Sequence, residues 1–152
     1  MLKTAIAQAD FGQTIRCVQP IAAGETIFPL SGRLVAAADR YTVQIDATSH
    51  LDPAGHDWRL TNHSCQPNAV MDVDRRELRA LRPIAPGEDI SFDYNSTEWS
   101  MAEPFACQCR APGCLGTVRG FRFLSHAQRN AIAGQLSAFL RGQLMVGTLA
   151  AD

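Results

Sequence analysis

Along the first half of the chain, apolar and β-branched residues come in short runs broken by turn residues, a rhythm of strands rather than long helices. Residues 4–7, 14–18, 26–30 and 41–45 are predicted as strands. Ala23-Gly24-Glu25 marks one turn between runs. Ala85-Pro86-Gly87-Glu88 marks another, with proline and glycine at the two central positions of a type II turn. This second turn is expected to join runs 77–81 and 89–94 into a hairpin. Toward the C-terminus the period lengthens. Ser125-His126-Ala127-Gln128 is a capping-box pattern, and Ile132, Leu136, Phe139 and Leu140 share one helical face. A C-terminal helix over 122–145 is predicted, its apolar stripe serving as core packing or as a docking face rather than as a site. Gly134 and Gly142 each cost such a helix about 1 kcal/mol relative to alanine, so it needs tertiary support.

Composition narrows the setting. The 152 residues suggest one domain, and at 46% hydrophobic and 19% charged they can bury a core. A net charge of −1 argues against a nucleic-acid binder working by bulk positive charge. No apolar run is long enough to cross a membrane, and MLKTAIAQADFG lacks the apolar stretch of a signal peptide. A cytoplasmic, reducing setting is the expectation. There, five cysteines read as metal ligands or buried thiols before disulfides. Charge is uneven: residues 46–103 hold eleven acids and five arginines, and residues 104–152 five arginines and one acid. An acidic middle suits a cationic substrate, though on charge alone an ordinary solvated surface is the preferred reading. Lys3 is the only lysine in the chain.

Cys107-x-Cys109-x4-Cys114 is too compact for core packing. Thiolates bind zinc strongly, and a structural site closes tetrahedrally with four ligands. Cys17 lies in an apolar run where a buried thiol is common, whereas Cys65 lies in a polar loop, so Cys65 is the expected fourth ligand. Such a site ties the tail to the middle of the chain. Its formal charge of −2 is within sequence reach of Arg110 and Arg119.

Arg59-Leu60-Thr61-Asn62-His63-Ser64-Cys65-Gln66-Pro67-Asn68 is the densest polar stretch. Alone, His63 reads as a base, a ligand or a hydrogen-bonded structural histidine. Four thiolates leave zinc no open position, so the metal is structural rather than hydrolytic.

These residues carry a resemblance. The stretch 59–68 resembles the R-F-x-N-H-S-C-x-P-N signature of SET-domain lysine methyltransferases. Gly87-Glu88-Asp89-Ile90-Ser91-Phe92-Asp93-Tyr94 resembles that family's G-E-E-L-x-F-D-Y signature. Cys107-x-Cys109-x4-Cys114 followed by Gly116 resembles its post-SET zinc segment, and Ile21-Ala22-Ala23-Gly24-Glu25 its early I-x-x-G-E turn. Several motifs in one order make a chance match remote. The resemblance implies a mainly β fold of small curved sheets around a pseudoknot-like crossing that brings 62–68 to Tyr94. It divides the chain into a SET domain over 1–100, a zinc segment over 101–121 and the helix over 122–145, as one structural unit.

It also implies transfer of a methyl from S-adenosylmethionine to the ε-amine of a lysine in a protein or peptide. Zinc would be held by Cys65, Cys107, Cys109 and Cys114. The cofactor would be held by Gly12, Gln13, Thr14, Asn62, His63, Tyr94 and Gln108, with Tyr94 catalytic and Phe92 beside it in the substrate channel. Departures stand out. The family's G-x-G loop reads Gly12-Gln13-Thr14, its tyrosine before the next glycine is absent from Phe28-Pro29-Leu30-Ser31-Gly32, and the segment from Ile45 to Trp58 is short. Two other readings therefore stay open: methylation of a small amine in the same channel, and a zinc-stapled binding module. A free lysine ionises near pH 10.4, so presenting it neutral at pH 7 costs about 4 kcal/mol. An aromatic channel supplies that by desolvation, with no dedicated base required and His63 only a positioning residue.

Overall fold

The computed structural model describes residues 2–148. Its frame is a set of short strands, as the apolar runs predict. β1 (Thr4–Ala9) and β2 (Gly12–Cys17) form an antiparallel hairpin that pairs Thr4 with Cys17 and Ala9 with Gly12. Three strands, β4 (Arg33–Val35), β6 (His50–Asp52) and β5 (Val43–Gln44), lie side by side in that order. A third sheet runs β3 (Thr26–Pro29), β9 (Glu77–Ala80), β8 (Ala69–Asp72). The run predicted over 41–45 shrinks to β5 because Asp39 competes for its backbone. The Asp39 carboxylate accepts the N–H groups of Tyr41 at 2.8 Å and Thr42 at 3.0 Å, holding them in a turn.

The hairpin expected around residues 85–88 does not form, although the turn does. Glu88 N–H donates to Ala85 O at 3.1 Å, and Gly87 sits at φ +96° as a type II turn requires. The arms then diverge. Residues 77–80 join β3 and β8, while Ile84 pairs with Ile21 and Asp89 with Arg16. Ile84 and Ile90 are 1% and 0% exposed. Packing both into the main core against the N-terminal segment outweighs pairing the two arms with each other.

Beyond the turn the chain crosses to the polar loop. β7 (Asn62–His63) and β10 (Ser91–Phe92) run parallel, with Asn62 opposite Ser91 and His63 opposite Phe92. Asn68 locks the crossing. Its Nδ2 donates to Asp89 O at 2.8 Å, and its Oδ1 accepts Ser91 N–H at 2.9 Å. β11 (Phe105–Ala106) and β12 (Thr117–Val118) then close around the cysteine segment.

The C-terminal segment is helical, but in pieces. α1 (His126–Ala131) starts at the expected box: Ser125 Oγ accepts Gln128 N–H, and Gln128 Oε1 accepts Ser125 N–H. It stops at Ile132, one short 3-10 turn follows over Ala133–Gln135, and Ser137 caps α2 (Ala138–Arg141). Gly134 weakens the middle of any continuous helix, and Ser137 offers a fresh cap. Leu136 and Leu140 still pack with Phe121 and Leu124 in a second core, so of the two expectations for the stripe the packing one holds. Arg129 replaces the missing helical continuity. It is fully buried, and its guanidinium donates to the carbonyls of Arg122, Gln143, Leu144 and Val146 over the Phe121 ring. The segment is docked through Gly120, where an added Cβ would sit 2.7 Å from Ser100 Cα and Trp99 O. Among the described residues no helix is long and apolar enough to cross a membrane.

Candidate active site

The crossing creates a cavity of about 530 Å³ between the tip of the first hairpin, the polar loop and the cysteine segment. Gly12, Gln13, Asn62, His63, Phe92, Tyr94 and Gln108 all reach its wall. At its N-terminal lip Gly12 has φ +123°, a backbone that favours glycine. Asn62 Nδ2 donates to Gln13 O at 3.1 Å, which ties the hairpin tip to the polar loop. Thr14 is placed apart from the other expected residues. It is fully buried, does not line the cavity, and its hydroxyl finds no partner among the described residues.

Tyr94 stands at the centre. Its ring lies 4.8 Å from Phe92, 5.3 Å from His63 and 5.8 Å from Phe105. Its hydroxyl donates to Thr61 O at 2.8 Å. Burial pushes its ionisation far up, so the phenol keeps its proton at any physiological pH. His63 positions this group. Its Nδ1 accepts Tyr94 N–H at 3.0 Å, which places the ring proton on Nε2, 3.3 Å from Cys65 Sγ. Burial holds His63 down at about 4, so it is neutral. The 3.7 Å approach of Asp93 to Nδ1 is therefore no ion pair. Asp93 accepts from Asn95 instead, while burial raises it to about 6.

The four expected sulfurs meet beneath this wall. Those of Cys65, Cys107, Cys109 and Cys114 lie within 4.8 Å of one another, with Cys65 at 3.9 Å from Cys107 and 4.0 Å from Cys114. A tetrahedron of zinc–sulfur bonds of about 2.3 Å puts sulfurs about 3.8 Å apart, so the set fits a zinc ion. Cys17 is buried elsewhere, against Gln19 O. Backbone donors face the cluster: Leu115 N–H to Cys65 and Cys109 N–H to Cys107, each at 3.5 Å. With His63 Nε2–H they offset part of the thiolate charge, and the Arg119 guanidinium stacks on Phe123 at 4.4 Å. Phe105, Cys107 and Gln108 line the cavity from the segment that the sulfurs hold.

The far wall was not legible in the sequence. Arg40, Tyr41, Thr42 and Val43 line it from before β5, with Thr97, Glu98 and Met101 from beyond Tyr94. None of these sits in a motif. Leu30, in the stretch where the family tyrosine is missing, is buried in the core, and Tyr41 presents a phenol to the cavity from another element.

Comparison with known proteins converges on this arrangement. A family model described as SET domain matches residues 12–95. The chain belongs to the SET-domain family. Among its relatives, Histone-lysine N-methyltransferase ash1 of Drosophila melanogaster is 31% identical over 134 residues, 74% of this chain and 6% of that protein. Methyltransferase flvH of Aspergillus flavus is 43% identical over 61 residues, 39% of this chain and 34% of that protein. The H3 lysine-36 specific histone-lysine N-methyltransferase of Saccharomyces cerevisiae is 41% identical over 68 residues, 41% of this chain and 9% of that protein. The chain thus spans about a third of the length of one of these relatives and less than a tenth of the other two. The crystal structure of KRYPTONITE in complex with mCHG DNA and SAH superposes with a TM-score of 0.59 at 28% identity, covering 72% of this chain and 27% of that one.

Proposed function

We propose that this SET domain transfers a methyl group from S-adenosylmethionine to the ε-amine of a lysine in a protein. The convergence of Tyr94 Oη and Thr61 O at 2.8 Å in the middle of one cavity carries the reading. These two oxygens, with the aromatic faces of Phe92 and Phe105, make an environment for a polarised methyl and an amine nitrogen. The relatives named as histone-lysine methyltransferases and the SAH-bound neighbour support donor and acceptor class.

S-adenosylmethionine supplies an electrophilic methyl on a sulfonium. Gly12 and Gln13 at the hairpin tip, Asn62 and His63 through the crossing, and Gln108 from the cysteine segment would hold it. Cys65, Cys107, Cys109 and Cys114 would hold a structural zinc, which fixes Gln108 and Phe105 over the cavity. Phe92 and Tyr94 strip water from the entering ammonium, which lowers the cost of its neutral form. Tyr94 Oη would accept weak C–H hydrogen bonds from the methyl while it donates its own proton to Thr61 O.

Labelled S-adenosylmethionine, presented with recombinant core histones, a host-protein extract and a small-molecule extract, tests this. Label in discrete protein bands supports the proposal. Label confined to the small-molecule fraction overturns the acceptor class, and no label in any fraction overturns the activity.

A further inference from the structure

Glu98 is a carboxylate held at the cavity with one oxygen unused. The residue is 8% exposed, yet it lines the same cavity as Tyr94. Its Oε2 is occupied twice, by Gln44 N–H at 3.0 Å and by Thr97 Oγ1–H at 2.6 Å. Its Oε1 accepts no hydrogen bond among the described residues, and it is not sealed away from solvent. The backbone fixes its place: Glu98 N–H donates to Tyr94 O at 3.1 Å, one turn beyond the central tyrosine. Gln44 clasps from the other side, its Oε1 accepting Trp99 N–H at 2.9 Å. Burial of a carboxylate with an idle oxygen is costly unless a cation arrives to meet it.

We infer that Glu98 is the group that receives the acceptor's ammonium and takes its proton, a catalytic residue for primary alkylamines. The inference rests on the proposed methyl transfer. One proton moves from the acceptor nitrogen to Glu98 Oε1, and the nitrogen keeps the electron pair. That pair forms the N–C bond as the sulfonium's C–S pair leaves with sulfur. Glu98 then returns its proton to water through the open cavity. Burial raises this carboxyl to about 7, where a base serves best at neutral pH. The other charged and titratable groups that line the cavity with it are Asp39, Arg40, Tyr41, Arg59, His63, Tyr94, Glu103, Cys107 and Cys109. The Arg40 guanidinium lies over the Tyr41 ring at 5.1 Å, and among the described residues it makes no ion pair with Glu98.

Glu98→Gln keeps an oxygen for Gln44 N–H and removes the charge. The first probe is n-butylammonium, bound to the protein saturated with S-adenosylhomocysteine. Wild type is expected to bind it at least tenfold more tightly than Glu98→Gln at pH 8, and to lose most of that affinity by pH 6. Equal binding by both proteins, or wild-type binding that does not change with pH, overturns the inference; the second outcome needs no variant. The other readout is the rate of methyl transfer to core histones or poly-L-lysine from pH 6 to 9. Wild type is expected to level off above about pH 7. Glu98→Gln is expected to fall at least thirtyfold in kcat at pH 7, with an unchanged KM for S-adenosylmethionine, and to rise tenfold per pH unit across the range. A variant profile that parallels wild type overturns the role of Glu98 and leaves the methyltransferase reading intact. Wild type that binds n-butylammonium as expected but labels no acceptor overturns that reading and leaves the amine site standing.

Discussion

A buried charge shows what single residues do here. Among the described residues Arg129 has no carboxylate partner, yet it is fully buried and reaches the carbonyls of four residues while its face rests on Phe121, 4.6 Å away. Three of those carbonyls, of Gln143, Leu144 and Val146, lie past the end of α2, where a helix offers no N–H partner of its own. Arg129→Ala strands them and opens a cavity, so chemical denaturation should show a loss of about 3 kcal/mol or more. Arg129→Lys should recover less than half, because one ammonium cannot serve four acceptors in a plane. A loss under about 1 kcal/mol for Arg129→Ala would contradict this account. Nothing in the sequence marked Arg129, since its partners are backbone atoms. Asn62, His63 and Tyr94 were legible because their chemistry is local: each sits in a short motif whose order along the chain survives into space. Glu98 and Tyr41 belong to the same wall, but tertiary packing puts them there and no spacing rule points to it.

At the scale of elements, the cysteine segment was the most legible and the hairpin around residues 85–88 the least. Zinc chemistry demands a fixed ligand number and geometry, so three close thiols and one more in a polar loop suffice to pair distant segments. A turn demands only its own four residues. Ala85-Pro86-Gly87-Glu88 forms as expected, but the burial of Ile84 and Ile90 sends its arms to other partners. The C-terminal helix likewise keeps its cap and its buried stripe and loses its continuity between Ile132 and Ser137. The sulfur cluster holds β11 and the Gln108 wall, so loss of the metal is expected to weaken cofactor binding. Metal analysis should find one zinc per chain in protein purified without chelator. Stripping it, or Cys65→Ser, should abolish the thermal shift given by S-adenosylmethionine as well as lower the melting temperature. A full cofactor-induced shift in zinc-free protein would separate the segment from the site.

For the whole molecule, the buried acid leaves a trace in stability. Glu98 has an ordinary value near 4.5 when exposed and about 7 in the fold. As pH rises, the unfolded chain therefore releases this proton first, and the folded state binds more protons across that window. Stability contributed by this group is present below about 4.5 and is lost as pH climbs to about 7, by about 3 kcal/mol in total. Glu98→Gln removes the loss. Denaturation of both proteins between pH 5 and 8 should show the variant gaining on wild type as pH rises; parallel curves would mean that Glu98 ionises at no cost.

The central claim is that one cavity, organised by Tyr94, moves a methyl onto a protein amine. Its most direct test is labelled S-adenosylmethionine with core histones and host-protein extract, comparing wild type with Tyr94→Phe. Lys3, the only lysine, is changed to arginine in both to silence self-labelling. Removing one oxygen leaves the ring packing and costs the methyl its hydroxyl contact. The account predicts discrete labelled protein bands in wild type and a loss of about 100-fold or more in Tyr94→Phe, roughly 2.7 kcal/mol of barrier. Equal labelling by the two proteins would contradict it.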